Sequence, residues 1–351
     1  MKKAKLIHGT TNSVPVGATD DEIEAIYQRS LKPYLRALYK ADAVPATLHL
    51  SGHLLSWILR HHSEYTDVLS EMVQRRQVEL LGGGYYDPVF PLIPRPDRIG
   101  QIEALTTLVR KRFRRRPRGA IITGSAWAAD LPGTLRSCGI EYVFLDDHHF
   151  VTAGCSGDNL CRPAIVEDQG KTVAAFPVCH DLRVVARGNQ PADAIEFLTS
   201  RAQDDPAMVF SLVEDGRRYR ETAGRARRGE QRIAWMEQFL DLLLQNRERI
   251  EVVLPYRYLR EHPPRGRVYF GSALGAETTA GLLQDRFAEG DDSHFFGERV
   301  RRCLERYGES NLLYAKMQYT HVLANQVRGD RYRKQAAREE LWQGQSHAVY
   351  W

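Results

Sequence analysis

The stretch Val78-Glu-Leu-Leu81-Gly82-Gly-Gly-Tyr-Tyr-Asp-Pro-Val89 reads as a strand that stops abruptly. Residues 78–81 are mostly apolar and suit an extended segment. The three glycines after them carry no side chains to pack and lose the most backbone freedom on ordering, so the strand ends there. Working back from it, residues 53–76 carry helical periodicity in two pieces broken near Ser63, and 46–50 (Ala-Thr-Leu-His-Leu) reads as a strand. Residues 20–38 read as a helix with acidic residues in the first turn, and 5–7 as a first strand.

The alternation continues on the other side. Helices are predicted over 98–113, 131–138, 192–202 and 231–245, and strands over 120–123, 142–145, 207–211 and 250–254. Residues 151–177 break the rhythm with glycine, cysteine and short extended pieces, and are expected to form a hairpin insertion. Seven strands alternating with helices predict a parallel α/β sheet. A closed or nearly closed barrel comes first and an open doubly wound sheet is the alternative. Either way, functional residues belong at the carboxyl ends of the strands, in 8–17, 82–89, 123–130, 145–150 and 212–217. From about Asp291 the segments 296–306, 312–328 and 331–341 have helical periods with no strand between them. The expectation is a barrel over 1–270 and a helical part over 271–351, joined through the loop-like Gly271-Ser-Ala-Leu-Gly275.

Composition narrows the partners. The chain has 351 residues, 43% hydrophobic and 26% charged, with a net charge of +5, so a large α/β domain and a smaller one can both be built. No run approaches the roughly 18 apolar residues of a membrane span, and the amino terminus lacks the apolar core of a secretory signal. The five cysteines, Cys138, Cys155, Cys161, Cys179 and Cys303, are irregularly spaced and form no CxxC pair. Reduced thiols in a cytoplasm are expected, with no metal and no cofactor. The basic run Arg110, Lys111, Arg112, Arg114, Arg115, Arg116 suits the solvated end of a helix. It lacks the interleaved aromatic side chains of a nucleic-acid groove, so neither nucleic acid nor membrane is an expected partner.

Several of the strand-end segments resemble one family. His49-Leu-Ser-Gly52, the GGGYYDPV run, Pro91-Leu-Ile-Pro94, Asp97-Arg-Ile-Gly-Gln-Ile102, Arg116-Pro-Arg-Gly119 and Asp146-Asp-His-His-Phe150 are similar to glycoside hydrolase family 57, of the 4-α-glucanotransferase and α-amylase type. So are RYLREHPPRGRV over 257–268, Glu309-Ser-Asn311 and Glu340-Leu-Trp-Gln-Gly-Gln345. The resemblance implies an incomplete TIM-like (β/α)7-type barrel followed by a small helical bundle. It also implies retaining chemistry on α-1,4-glucans without a metal, and a maltooligosaccharide or α-glucan as the molecule bound.

A retaining glycosidase needs two carboxyl groups about 5 Å apart. The family's nucleophile is the glutamate of a TERVWEP-like motif, and here the stretch is Thr123-Gly-Ser-Ala-Trp-Ala-Ala129, with Gly124 at the glutamate position. Losing a nucleophile that supplies a factor of about 10⁶ raises the barrier by about 8 kcal/mol. The HxHQPVGN motif is represented by Thr11-Asn-Ser-Val-Pro-Val-Gly17, without either histidine. His8, just upstream, is not expected to substitute. Glu214-Asp215-Gly216 matches the family's DDG, which makes Asp215 the remaining general acid/base candidate. Asp87, one methylene shorter than the family's glutamate, Trp127, Tyr86 and Glu277 are the candidate substrate-binding residues, with Tyr85 a further candidate stacking face.

Three readings are open. In the first, the chain is catalytically silent and at most binds glucan. In the second, it is an active glucan hydrolase or transferase with a substitute carboxylate, Asp130, Asp146 or Asp147. In the third, it is a metal-dependent hydrolase or deacetylase using Asp146, Asp147, His148 and His149. Adjacent residues on an extended chain point to opposite sides, which counts against the third.

Overall fold

A computed structural model describes residues 3–188, 190–202, 205, 207–220, 231–275, 304 and 308–349. In chain order, β1 (Ala4–Asn12) leads through α1 (Asp20–Ile26) and α2 (Lys32–Lys40) to β2 (Ala46–Leu50). Helices α3 (Gly52–His61) and α4 (Ser63–Gln74) precede β3 (Val78–Leu81), and α5 (Arg95–Phe113) precedes β4 (Gly119–Ile121). Then come α6 (Leu131–Ser137), β5 (Tyr142–Asp146), α7 (Asp147–Thr152), and the pair β6 (Ala164–Asp168) and β7 (Lys171–Val178). Helices α8 (His180–Gly188) and α9 (Pro191–Ser200) lead to β8 (Phe210–Asp215). The short β9 (Tyr219–Arg220) and β10 (Gln231–Arg232), α10 (Ile233–Gln245), β11 (Ile250–Val252) and α11 (Pro255–Glu261) complete this part.

Seven parallel strands close a ring in the order β1, β2, β3, β4, β5, β7, β8 and back to β1. Five junctions are ladders: β1–β2, β2–β3, β4–β5, β5–β7 and β8–β1. The other two are thinner. Between β3 and β4 the link is one bridge, Gly82 to Ala120, with its two backbone hydrogen bonds of 2.8 and 2.9 Å. Between β7 and β8 the Cys179 N–H donates to the Ser211 carbonyl at 3.0 Å. The architecture is a (β/α)7 barrel, as expected. Its seventh stave is not the predicted one, however. The strand expected over 250–254 appears as β11, which pairs with only Ala4–Leu6 at the foot of β1. The stave is β7, inside the segment expected to be an insertion. The hairpin is real, since β6 runs antiparallel to β7, but its second strand is built into the ring through β5.

Alternation along the strands sorts the core. Ile7, Leu81, Tyr142, Phe144, Phe176, Val178 and Val213 meet inside the barrel, while Leu6, Leu48, Leu80 and Leu212 face the surrounding helices. His8 is on the outward set. It is 2% exposed and lies edge-on to Phe239, with ring centroids 6.4 Å apart. Burial pushes its pKa down to about 4, so it is a neutral packing residue and does not stand in for the missing histidines.

The basic run sits at the end of α5, where Arg114 takes a left-handed conformation and its N–H caps the Arg110 carbonyl. Arg112 binds Thr66 Oγ1 (2.9 Å) and Asp67, and Arg116 binds the Cys138 carbonyl. Arg114 and Arg116 thus close helix ends, and Arg112 ties α5 to α4. Two further helices, α12 (Gly308–Gln326) and α13 (Arg331–Gly344), form an antiparallel pair. They return to the barrel through buried Asp97, which accepts from Gln345 Nε2 (2.7 Å) and lies 2.7 Å from His321 Nδ1. Pro88 and Ser346 add a backbone bridge. Most of the predicted 296–306 helix lies outside the described residues. No helix among the described residues is long and apolar enough to cross a membrane.

Candidate active site

The carboxyl ends of the strands gather the residues expected to matter. Gly124 follows β4 and Asp215 ends β8, three staves apart in a ring of seven, so the two positions lie on opposite sides of the same barrel mouth. Asp215 is in register with Thr11 of β1.

Gly124 sits in a tight turn over Thr123–Ser125 with φ 61° and ψ 18°. Only glycine adopts this left-handed conformation without a Cβ penalty. Ser125 beside it also has positive φ, at 48°. The Gly124 carbonyl accepts from the Gly275 N–H (2.9 Å), and Trp127 forms a backbone bridge with Ala273. The join 271–275 is therefore strapped across the turn that holds Gly124.

Asp215 is engaged by the residue two places on. Arg217 Nη2 donates to Oδ2 at 2.6 Å, its Nε lies 3.1 and 3.0 Å from the two oxygens, and its backbone N–H reaches Oδ1 at 2.9 Å. A forked guanidinium-carboxylate pair of this kind fixes the side chain and occupies both oxygens. Its neighbour Glu214 points outward, is 2% exposed, and carries Arg183 (3.2 Å), Arg187 (2.9 Å) and Arg218 (3.3 Å) around it. Arg183 also pairs with Asp146 at 3.3 Å. Arg217 and Arg218 are visible in the sequence beside the DDG-like motif. Arg183 and Arg187, four residues apart on α8, carry no motif and were missed, although i,i+4 spacing puts them on one helix face.

Asp87 follows the triple glycine in a tight turn. A Cβ on Gly84 would lie 2.1 Å from the Pro88 ring, so the turn requires glycine there. Asp87 is 5% exposed and its Oδ1 stands 3.8 Å from His49 Nε2. This is no ion pair at neutral pH. Burial pushes Asp87 up to about 8 and His49 down to about 4, so both are uncharged. A consequence is measurable. A carboxyl raised on folding stabilises fully below its unfolded pKa, and that contribution is lost as pH climbs through about 8. His49 and His8, lowered on folding, act oppositely, but only below about 6.5. Glu79, pushed up to about 7 by burial, adds to the lower end of the decline. Between pH 6.5 and 8.5 the protein is therefore expected to lose roughly 1–2 kcal/mol through Asp87. Urea unfolding of Asp87→Asn should show a flatter decline over that window. An undiminished decline would place the responsible group elsewhere.

The aromatic candidates are enclosed. Trp127 is 1% exposed and packs edge-on against Phe270, centroids 6.0 Å apart. Tyr86 is 6% exposed, packs with Leu341 and Trp342, and hydrogen-bonds Glu339 through its hydroxyl. In this structure neither ring offers a face to a sugar, because both join the barrel to the carboxyl-terminal part of the chain. Tyr85 is half-buried, its hydroxyl 2.6 Å from Ser56 Oγ. Asp130 occupies the N-cap position of α6 but makes no capping bond; it pairs with Arg98 at 2.7 Å. Glu277 lies outside the described residues.

The metal-ligand types near β5 are already committed to other partners. Asp146 pairs with Arg183, Asp147 accepts the His180 N–H (2.8 Å), and His149 Nε2 lies 2.7 Å from the Ser125 carbonyl. Among the described residues there is no group of three or more His, Cys, Asp or Glu side chains placed to hold a metal ion.

The fold and its mouth define a parallel (β/α)7-barrel protein with its polar residues gathered at the carboxyl strand ends. Residues 6–271 match glycosyl hydrolase family 57, and the chain belongs to that family. It is 30% identical over 363 residues to an α-amylase of Dictyoglomus thermophilum, covering 98% of this chain and 52% of that protein. It is equally 30% identical over 367 residues to the 4-α-glucanotransferase of Thermococcus litoralis, covering 100% of this chain and 54% of the relative. The crystal structure of the Thermococcus litoralis 4-α-glucanotransferase superposes with a TM-score of 0.88 at 29% identity, over 100% of this chain and 56% of that one. The chain thus spans about half the length of the curated relatives it matches.

Proposed function

We propose that this chain is a catalytically silent family 57 barrel of α-glucan metabolism, which binds a maltooligosaccharide or α-glucan at most and turns none over. The observation that carries the reading is Gly124, a left-handed glycine where the resemblance puts the nucleophile glutamate. The forked Arg217–Asp215 pair supports it, because a carboxyl acting as general acid must be able to turn toward a leaving oxygen. The barrel over 1–270 and the helical part over 271–351 are taken as its two units.

Maltoheptaose incubated with the purified chain should release no products, while affinity electrophoresis in amylopectin reports binding separately. Turnover of about 1 s⁻¹ or faster, within the ordinary enzyme range, would overturn the proposal. Were that turnover lost in Asp146→Asn, the substitute-carboxylate reading would replace it. Asp146 is the carboxylate chosen for this control because it ends β5, and its backbone N–H donates to Ser125 Oγ, the neighbour of Gly124, at 3.3 Å.

A further inference from the structure

A cavity of about 660 Å³ lies at the other end of β8 from Asp215. Its walls are residues 162–164, Ala207 ahead of β8, and the edge segment 262–268. That segment is held by backbone bonds on both sides of Ile165, from the Ile165 N–H to the Gly266 carbonyl (2.8 Å) and from the Val268 N–H to the Ile165 carbonyl (2.9 Å). Tyr258 anchors the floor, 1% exposed, with its hydroxyl donating to the Ala207 carbonyl at 2.5 Å. The wall is thus fixed by the fold.

Its charge is unbalanced. Arg162, Arg265 and Arg267 line the cavity. Arg162 commits one Nη to Asp205, yet its Nε is buried with no hydrogen-bond partner. The Nε faces the protein, but the side chain as a whole is 36% exposed, so the guanidinium is open to the cavity. Arg265 and Arg267 are exposed and make no ion pair among the described residues. The acidic groups nearby are occupied. Asp205 is on Arg162, Glu261 is held by Arg257 at 2.9 Å, and Glu167 accepts from the Gly170 N–H and the Tyr269 hydroxyl. Pro263 and Pro264 give the same wall an apolar stretch.

We infer that this cavity binds a phosphate monoester carried on a sugar-sized body, with Arg162, Arg265 and Arg267 around the phosphate and Pro263–Pro264 against the remainder. Guanidinium forks match phosphate oxygens in pairs, and the volume falls in the range of small-molecule sites. The site is separate from the barrel mouth and stands whether or not the chain turns over glucan.

The test is calorimetric titration of the full chain, at low salt, with glucose 6-phosphate, ADP, inorganic phosphate and glucose in separate runs. Saturable binding of glucose 6-phosphate is expected, stronger than that of inorganic phosphate, with none for glucose. The ADP run distinguishes a nucleotide from a sugar phosphate as the source of the group. The double variant Arg265→Gln, Arg267→Gln, in which both side chains are exposed, should fold as the parent does by circular dichroism and bind about tenfold or more weakly. Raising the salt should weaken binding by the parent. No saturable binding of any phosphate probe, binding of glucose equal to that of its phosphate, or unchanged affinity in the folded double variant would overturn the assignment.

Discussion

A Gly124→Glu protein is expected to fold, to lose about 1–2 kcal/mol of stability, and to form no covalent adduct with α-glucosyl fluoride by intact mass. The stability cost comes from the backbone, since φ is 61° and a Cβ in the left-handed region is penalised by about that much. The missing adduct comes from the surroundings. The turn's carbonyl is held by Gly275, Ala128 offers no second carboxylate, and Asp215 is clamped by Arg217. A nucleophile placed without its supporting groups misses the required geometry, where about 0.5 Å matters. Combining Gly124→Glu with Ala128→Glu, Thr11→His, Ser13→His and Arg217→Glu restores five of the positions at which the sequence departs from the family motifs and releases Asp215. That protein is expected to trap a glycosyl adduct, a gain from nothing detectable to stoichiometric labelling. Full activity from Gly124→Glu alone would show that the other losses are tolerated. No adduct from a folded combined variant would mean that the mouth no longer admits a sugar.

Trp127→Ala is expected to cost about 3–5 kcal/mol, the range for deleting a fully buried tryptophan. The indole is 1% exposed within the cluster of Phe270, Phe150, Leu131 and Ile122, and its backbone holds Ala273. Trp127→Phe keeps part of the volume and should cost less. Urea unfolding midpoints decide the matter. A loss below about 1 kcal/mol, accompanied by lost glucan binding, would return this ring to the mouth as a stacking platform.

Much of this structure could be read from local pattern. The strands at 46–50 and 78–81 fall where apolar runs meet turn residues, and the helix break near Ser63 lies between His61 and Ser63. The seventh stave could not be read so. Residues 171–178 begin with polar Lys171 and Thr172 and contain Pro177, and the strand's place in the ring depends on β5, which only the tertiary fold supplies. β1 runs five residues past its apolar start, because His8, Thr10 and Asn12 face outward yet are enclosed beneath the helices. At the barrel mouth, the placement of Gly124 and Asp215 at strand ends was legible from the strand pattern. The burial of Trp127 and Tyr86 was not, because an aromatic residue in a motif does not declare which face it presents. The clamp on Asp215 was half legible, since Arg217 was plain while its reach was not.

The two thin junctions of the ring divide the barrel into half-shells. One holds β8, β1, β2 and β3 with their ladders, and the other holds β4, β5 and β7. Gly124 follows β4 in the second and Asp215 ends β8 in the first. The gap between them is therefore a property of the joint, set by one bridge at Gly82 and one bond at Cys179, and of neither shell alone. In an enzyme that must keep two carboxyl groups about 5 Å apart, such a joint is a tolerance to be guarded. A chain that is silent, as proposed, has no such distance to keep, and substitutions along the joint that leave both half-shells folded should be tolerated in it more readily than in an enzyme.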